Sequence, residues 1–262
     1  MTDQNPYEAP DANLTEGRLN SEVELAVTGI KSLPASAGLD WIKSAFSLFM
    51  KSPLIWIVMV VLWFGINIVA SFLPIIGPLI TSLLYAVFVA GFLLGCAALD
   101  RGDDLEIGHL FAGFKNNTGS LIGLGAVYLG FIILFSIIIV ALLFGSMGGV
   151  GVFADPDSIN PADILNSGSM MAILVSLLLL IPIAMMFWFA PALIAIGNVP
   201  LFQSLKMSFS GCLKNIMPFL LFSIIMVILA VIASIPFALG WLILMPVGMA
   251  AFYTAYRAIY TN

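Results

Sequence analysis

The side chains of this chain that could do chemistry are few, and they stand apart from one another. Asp100, Asp103, Asp104 and Glu106 put four carboxylates into seven residues beside Arg101, and Asp155, Asp157 and Asn160 make a second small acidic group. A hard cation takes six or more oxygen ligands, so both groups read as charged turns rather than metal sites. His109 is the single histidine, and no cysteine lies at metal-ligand spacing from it. On a helix over 107–114 it projects away from Ile107, Leu110, Phe111 and Phe114, as a solvated interfacial side chain does. Two cysteines, Cys96 and Cys212, are too few for a disulfide framework and read as packed free thiols. There is no Gly-x-Ser-x-Gly elbow and no phosphate-cradling glycine loop. No catalytic, metal or cofactor-binding residue is assigned, and no cofactor is expected. A lipid-modifying enzyme would have to assemble a polar cluster from loops, centred on Asp103, Asp104 and His109.

The elements around these residues explain the scarcity. Of 262 residues 61% are hydrophobic and 9% charged, against about 25% charged in ordinary soluble domains, and the mean hydropathy is +1.13. Between Lys51 and Asp100 lie 48 residues without a charge, room for two bilayer crossings of about 20 residues each. Three further uncharged stretches follow. Breaks at Leu73-Pro74-Ile75-Ile76-Gly77-Pro78 and Pro236-Phe237-Ala238-Leu239-Gly240 divide the apolar runs. The expectation is an all-α membrane protein with six transmembrane helices, at about 53–73, 78–99, 119–145, 170–197, 216–235 and 240–257. No span interior carries Asp, Glu, Lys, Arg or His, which argues against proton relays, ion-coupled transport and intramembrane hydrolysis.

Three short amphipathic helices precede the span pairs. The first sets Trp41, Ile42, Ala45, Phe46 and Phe49 against Asp40, Lys43, Ser44, Ser47 and Lys51. The second carries Ile107, Leu110, Phe111 and Phe114 before Lys115. The third sets Leu201, Phe202, Leu205, Phe209 and Leu213 against Gln203, Lys206, Ser210 and Lys214. Aligning Lys51, Lys115 and Lys214 suggests three repeats of one unit, an amphipathic helix followed by a helical hairpin. The residues expected at the membrane interface are Trp41, Lys43, Phe46, Phe49, Lys51, Phe111, Phe114, Lys115, Lys206, Phe209 and Lys214. Trp241 and Tyr256 fit interfacial anchoring as well, whereas Trp56 and Trp63 lie deeper.

Sorting the charges by position gives an orientation. The net charge is −5, but residues 1–34 alone contribute −4, so residues 1–38 read as a disordered acidic tail. No signal peptide is visible ahead of the first span. Within the tail, Asn5-Pro6-Tyr7-Glu8-Ala9-Pro10 has the form of a docking peptide for a protein partner. With six spans all nine Lys and Arg residues fall on one side, and the opposite connections hold only Asp155, Asp157 and Asp163. Asn160-Pro161-Ala162-Asp163 in the fourth connection has the form of a helix start. Short-loop Lys/Arg excess marks the cytoplasmic face, so both termini and all three amphipathic helices are expected there, against anionic lipid head groups. The partner is the phospholipid bilayer; no nucleic acid partner is expected.

Two features inside the spans stand out. Gly91 and Gly95, with Ala86, Ala90 and Ala98, form a small-residue stripe that permits close helix approach. The fourth span carries Pro182 and Pro191 around Met185, Met186 and Trp188, a broken helix that could border a solute path. The run Gly108-His109-Leu110-Phe111-Ala112-Gly113-Phe114, with Gly38-Leu39-Asp40-Trp41-Ile42 and the stretch from Met186 to Leu193, resembles an uncharacterised family of proteobacterial six-span inner-membrane proteins. The layout is more distantly similar to YciC-type inner-membrane proteins. The resemblance covers about residues 38–260, implies a bacterial inner membrane and carries over no catalytic residue. The function expected is a non-enzymatic, lipid-interacting or accessory membrane module; the alternative is a transporter or exporter of an apolar or amphipathic small molecule.

Overall fold

The computed structural model describes residues 27–146, 167–237 and 239–262. The first 26 residues, with the Asn5–Pro10 peptide, and the connection holding Asp155, Asp157, Asn160, Pro161 and Asp163 lie outside them. All regular structure among the described residues is helical: α1 (Ala37–Lys51), α2 (Pro53–Ser71), α3 (Ile76–Arg101), a 3-10 helix (Ile107–Phe114), α4 (Thr118–Ser146), α5 (Ser167–Trp188), α6 (Ala190–Ala195), α7 (Leu201–Lys214), α8 (Ile216–Ser234) and α9 (Trp241–Tyr260). Six segments are long and apolar enough to cross a bilayer, with α5 and α6 acting as one. The chain is therefore an all-α integral membrane protein.

The spans divide into an inner pair and an outer ring. In α3 and α9, 56% and 50% of the apolar window is buried in protein; in the other four the share is 11–17%. The outward residues of that ring are large and apolar, such as Val69, Ile137, Leu178 and Val231. In lipid, apolar chains need no protein cover, because hydrocarbon solvates them as well as a core does.

Aromatic packing and glycine-permitted contact tie α3 to its outer neighbours. Trp56 of α2 stacks on Phe92 of α3 at 6.2 Å. A Cβ on Gly125 of α4 would sit 2.2 Å from the Leu83 carbonyl oxygen of α3, so these two spans touch backbone to backbone. The small-residue stripe of α3 meets a different partner. Cβ atoms at Gly91 and Gly113 would lie 2.4 Å from the Leu110 oxygen and 2.1 Å from the Val87 oxygen. The glycines of the stripe thus receive the 3-10 helix, while Ala86 and Ala90 cluster with Leu121 and Leu124 of α4 and Ala190 and Ile194 of α6. Val87 precedes Arg101 by 14 positions, so the 3-10 helix folds back about 21 Å along α3 at a rise of about 1.5 Å per residue.

Residues 27–38, expected to belong to the disordered tail, are ordered. The Thr28 and Lys31 amides donate to the Tyr260 and Ile259 carbonyls at 2.9 Å each. The fully buried Asn215 carboxamide donates to the Lys31 carbonyl and accepts from the Leu33 amide, each at 2.9 Å. Composition misled here because this segment is held by hydrogen bonds to the ends of α7 and α9, which need no apolar period.

Candidate functional site

The charged end of the bundle is built where α1 crosses it. Gly38 lies against Pro218 and Phe222 of α8, the Trp41 carbonyl accepts from Thr254 Oγ1 of α9 at 3.0 Å, and Lys51 Nζ donates to the Leu99 carbonyl of α3 at 2.7 Å. Helix α1 thus runs from α8 past α9 to α3. Its inner face is Trp41, Ala45, Leu48 and Phe49. Trp41 and Phe49, expected at the lipid interface, are instead in the protein core, Trp41 against Phe219 and Phe222. Phe46, at 50% exposure, faces outward with Lys43, whereas Lys51 reaches across to α3.

The second amphipathic element is a 3-10 helix rather than an α-helix. With three residues per turn, Leu110 and Gly113 turn inward while Phe111 and Phe114 are exposed, flanked by the exposed Lys115. Phe88 of α3 meets both phenylalanines edge-on at 6.1 and 5.6 Å. His109 closes a capping box at the start of the element, its Nδ1 accepting from the Glu106 amide at 3.0 Å, so the imidazole has a structural task. Asp103 and Asp104 are exposed, and Asp103 pairs with Arg101 at 3.3 Å.

The third element is turned over. Its buried face is Ser204, Leu205, Ser208, Gly211 and Cys212, while Phe202 and Leu213 are exposed and Phe209 half-buried. Lys206 and Lys214 are exposed. Small residues face inward because α7 packs closely on the broken fourth span. At that break the Ser208 hydroxyl donates to the Met185 carbonyl at 2.7 Å and accepts from the Phe189 amide at 2.8 Å. One hydroxyl thereby satisfies the donor and acceptor that an unbroken helix would pair. Burial pushes the Cys212 thiol up to about 12. The connectivity of short element and hairpin recurs three times, but the three elements pack in three different ways.

Two cavities follow from this frame. A polar cleft of about 450 Å³ at the charged end is walled by α1, α3, α9 and the 27–36 segment. In it Asp100 accepts from the Tyr253 hydroxyl at 2.9 Å and pairs with the Arg257 guanidinium. Lys51 was legible as an interface residue, but Lys31, Asp100 and Arg257 were not joined to it. The available signal was an acid, Asp100, at the end of one span and a lone base, Arg257, at the end of another.

The second cavity, of about 570 Å³, lies within the spans between α4 and α5 on one side and α8 and α9 on the other. Trp188 closes it toward the charged end against Phe219 and Phe252, at 5.9 and 5.7 Å. Tyr85 and Tyr128 stack in its wall at 6.3 Å. Of the expected path residues, Trp188 and Pro191 line it; Pro182, Met185 and Met186 are not in its walls. Met185 packs on the main core and Met186 on the cluster around α3, α4 and α6, because the α5 face that carries them turns toward protein. Tyr256, expected at the interface, is fully buried, whereas Trp241 is 40% exposed and donates to Ser234 Oγ.

No protein-family model matches the chain, and no solved structure matches it. The chain is 26% identical over 254 residues to a Burkholderia thailandensis protein named "Probable inner membrane protein BTH_II0599", covering 86% of this chain and 92% of that one. That similarity and the six apolar helices make this a multi-pass protein of the inner membrane. No group of three or more His, Cys, Asp or Glu positioned for a metal ion occurs among the described residues.

Proposed function

We propose that this protein is a non-enzymatic membrane module that grips the anionic cytoplasmic leaflet through one end of its bundle. The observation that carries the reading is the pairing of outward aromatics with outward lysines on all three short elements. Phe46 stands with Lys43, Phe111 and Phe114 with Lys115, and Phe202 with Lys206 and Lys214, every one of them exposed. Rings at the head-group level and cations beside anionic lipid both favour binding, each cation contributing about 1 kcal/mol near such a surface. With all nine Lys and Arg residues on one side, that side and both termini are cytoplasmic.

The test replaces Phe46, Phe111, Phe114 and Phe202 by Ser together with Lys43, Lys115, Lys206 and Lys214 by Gln. These residues are exposed, so the bundle should still insert. Quenching of tryptophan fluorescence by brominated phosphatidylglycerol should fall toward that by brominated phosphatidylcholine; unchanged preference refutes the reading.

A second reading is favoured by the cavity within the spans: passage or holding of an apolar solute. Its volume lies in the usual ligand-pocket range of about 300–1,000 Å³. A Cβ on Gly248, in its wall, would meet only Met226 Cε at 3.7 Å, so the side chain of Gly248→Trp starts into open space and should occupy the cavity. Loss of binding of an apolar fluorescent probe in that variant supports this reading, and undiminished binding removes it.

A further inference from the structure

We propose that the polar cleft between α1, α3 and α9 is a binding site for a phosphate group, carried by an anionic phospholipid head or free in solution. Three cations reach the cleft from three separate elements: Lys31 from the segment before α1, Lys51 from the end of α1 and Arg257 from the end of α9. Among the described residues one carboxylate faces them, Asp100, and it is engaged by Arg257 and the Tyr253 hydroxyl. The described side chains lining the cleft therefore carry an excess of positive charge, which repels a cation and attracts an anion.

The donors are also positioned. Lys51 Nζ is held by the Leu99 carbonyl at 2.7 Å, and Lys31 Nζ by the Thr261 carbonyl. An ammonium has three donors, so each lysine is fixed by one and keeps two. Ser44 and Ser47 line the same cleft, and neither side-chain hydroxyl has a hydrogen-bond partner among the described residues. Ser44, Ser47 and Lys51 follow at spacings of three and four, which places them along one stripe of α1. Cations and hydroxyls converging on a space of about 450 Å³ form the donor set that a tetrahedral oxyanion requires.

The place in the fold agrees with this chemistry. The cleft lies at the C-terminal ends of both inner spans, α3 and α9, beside the start of α2, which is the level of lipid phosphates when those helices cross the bilayer. The lipid form of the ligand rests on the leaflet-gripping reading above; the phosphate site itself does not.

The experiment titrates the detergent-solubilised full chain with dioleoylphosphatidylglycerol, dioleoylphosphatidylcholine or inorganic phosphate, counting lipid adducts by native mass spectrometry and phosphate by calorimetry. The choline cation should be repelled, so phosphatidylglycerol is expected to bind at least about tenfold more tightly than phosphatidylcholine. Ser44→Asp with Ser47→Asp puts two carboxylates into the cleft and removes no hydrogen bond, and should erase that preference with an unchanged melting temperature. Lys31→Gln should weaken it severalfold. Millimolar phosphate binding that the double substitution abolishes, without lipid preference, also supports the site and assigns it to free phosphate. The variant lacking the outward Phe and Lys residues should keep the cleft's adduct, which separates failure of the surface grip from failure of the site. If the doubly substituted chain binds phosphatidylglycerol and phosphate as the unaltered chain does, the proposal is overturned.

Discussion

Replacing Gly91 and Gly95 by alanine, one at a time, measures how tightly the 3-10 helix is seated on α3. Both glycines lie inside α3, so both substitutions gain the same helix propensity, about 1 kcal/mol, and the gain cancels between them. The obstacles differ. A Cβ at Gly91 would lie 2.4 Å from the Leu110 oxygen and 2.7 Å from the His109 oxygen, both backbone. Reaching ordinary contact near 3.4 Å requires the whole 3-10 helix to move by about 1 Å, and that helix is pinned by the fully buried Leu110 and the Phe88–Phe111–Phe114 group. A Cβ at Gly95 would meet the Leu105 Cδ1 methyl at 2.7 Å, the end of a side chain that can turn. Overpacking against a fixed wall costs about 1–3 kcal/mol, and an adjusted rotamer about 0.5–1.5 kcal/mol. Gly91→Ala should therefore be less stable than Gly95→Ala by about 0.5–1.5 kcal/mol. At about 2–4 °C per kcal/mol for a protein near this size, thermal unfolding followed by tryptophan fluorescence should separate the two. Hydrogen exchange should rise over 107–114 in Gly91→Ala alone. If Gly91→Ala melts at or above Gly95→Ala, the backbone-on-backbone seat is wrong.

Other outcomes follow from single residues. Ser208→Ala leaves the Met185 carbonyl and Phe189 amide without their shared partner, and with interhelical bonds in membranes contributing about 0.6–1.7 kcal/mol each, stability should drop by about 1–3 kcal/mol, with Ser208→Thr recovering part of it. Asn215→Ala cuts both bonds to the 31–33 backbone, so trypsin should cleave after Lys31 in the variant well before it does so in the unaltered protein. For Cys212 the thiol is the neutral form below its raised value of about 12, and the reactive thiolate appears only as pH climbs toward that value. At pH 8 maleimide labelling of Cys212 should run about a thousandfold slower than at Phe46→Cys and should rise with pH; equal rates would contradict its burial.

The spans were legible because length and hydropathy decide them with no help from packing. Which face of a short helix turns inward was not, since hydrocarbon and protein are equally apolar partners. In α7 the bulky Phe202 and Leu213 could therefore be left to lipid while Ser204, Ser208 and Gly211 took the protein contact. A spacing of three fits both helix types, so Ile107 with Leu110 and Phe111 with Phe114 could not distinguish an α-helix from the 3-10 helix that Gly91 and Gly113 admit. The glycine stripe announced close approach without naming its partner. The charged cleft was half legible: Lys51 carries a local signal, whereas Asp100 and Arg257 are 157 residues apart and meet only because α3 and α9 are neighbours. Lys31 was hidden by a polar segment whose order depends on Asn215.

The most direct test of a bundle that grips the anionic leaflet is the lipid carried by the unaltered protein when it is cut from its native membrane in polymer discs. The ratio of anionic to zwitterionic phospholipid in those discs should exceed the ratio in the whole membrane. A ratio equal to that of the bulk membrane would contradict the account.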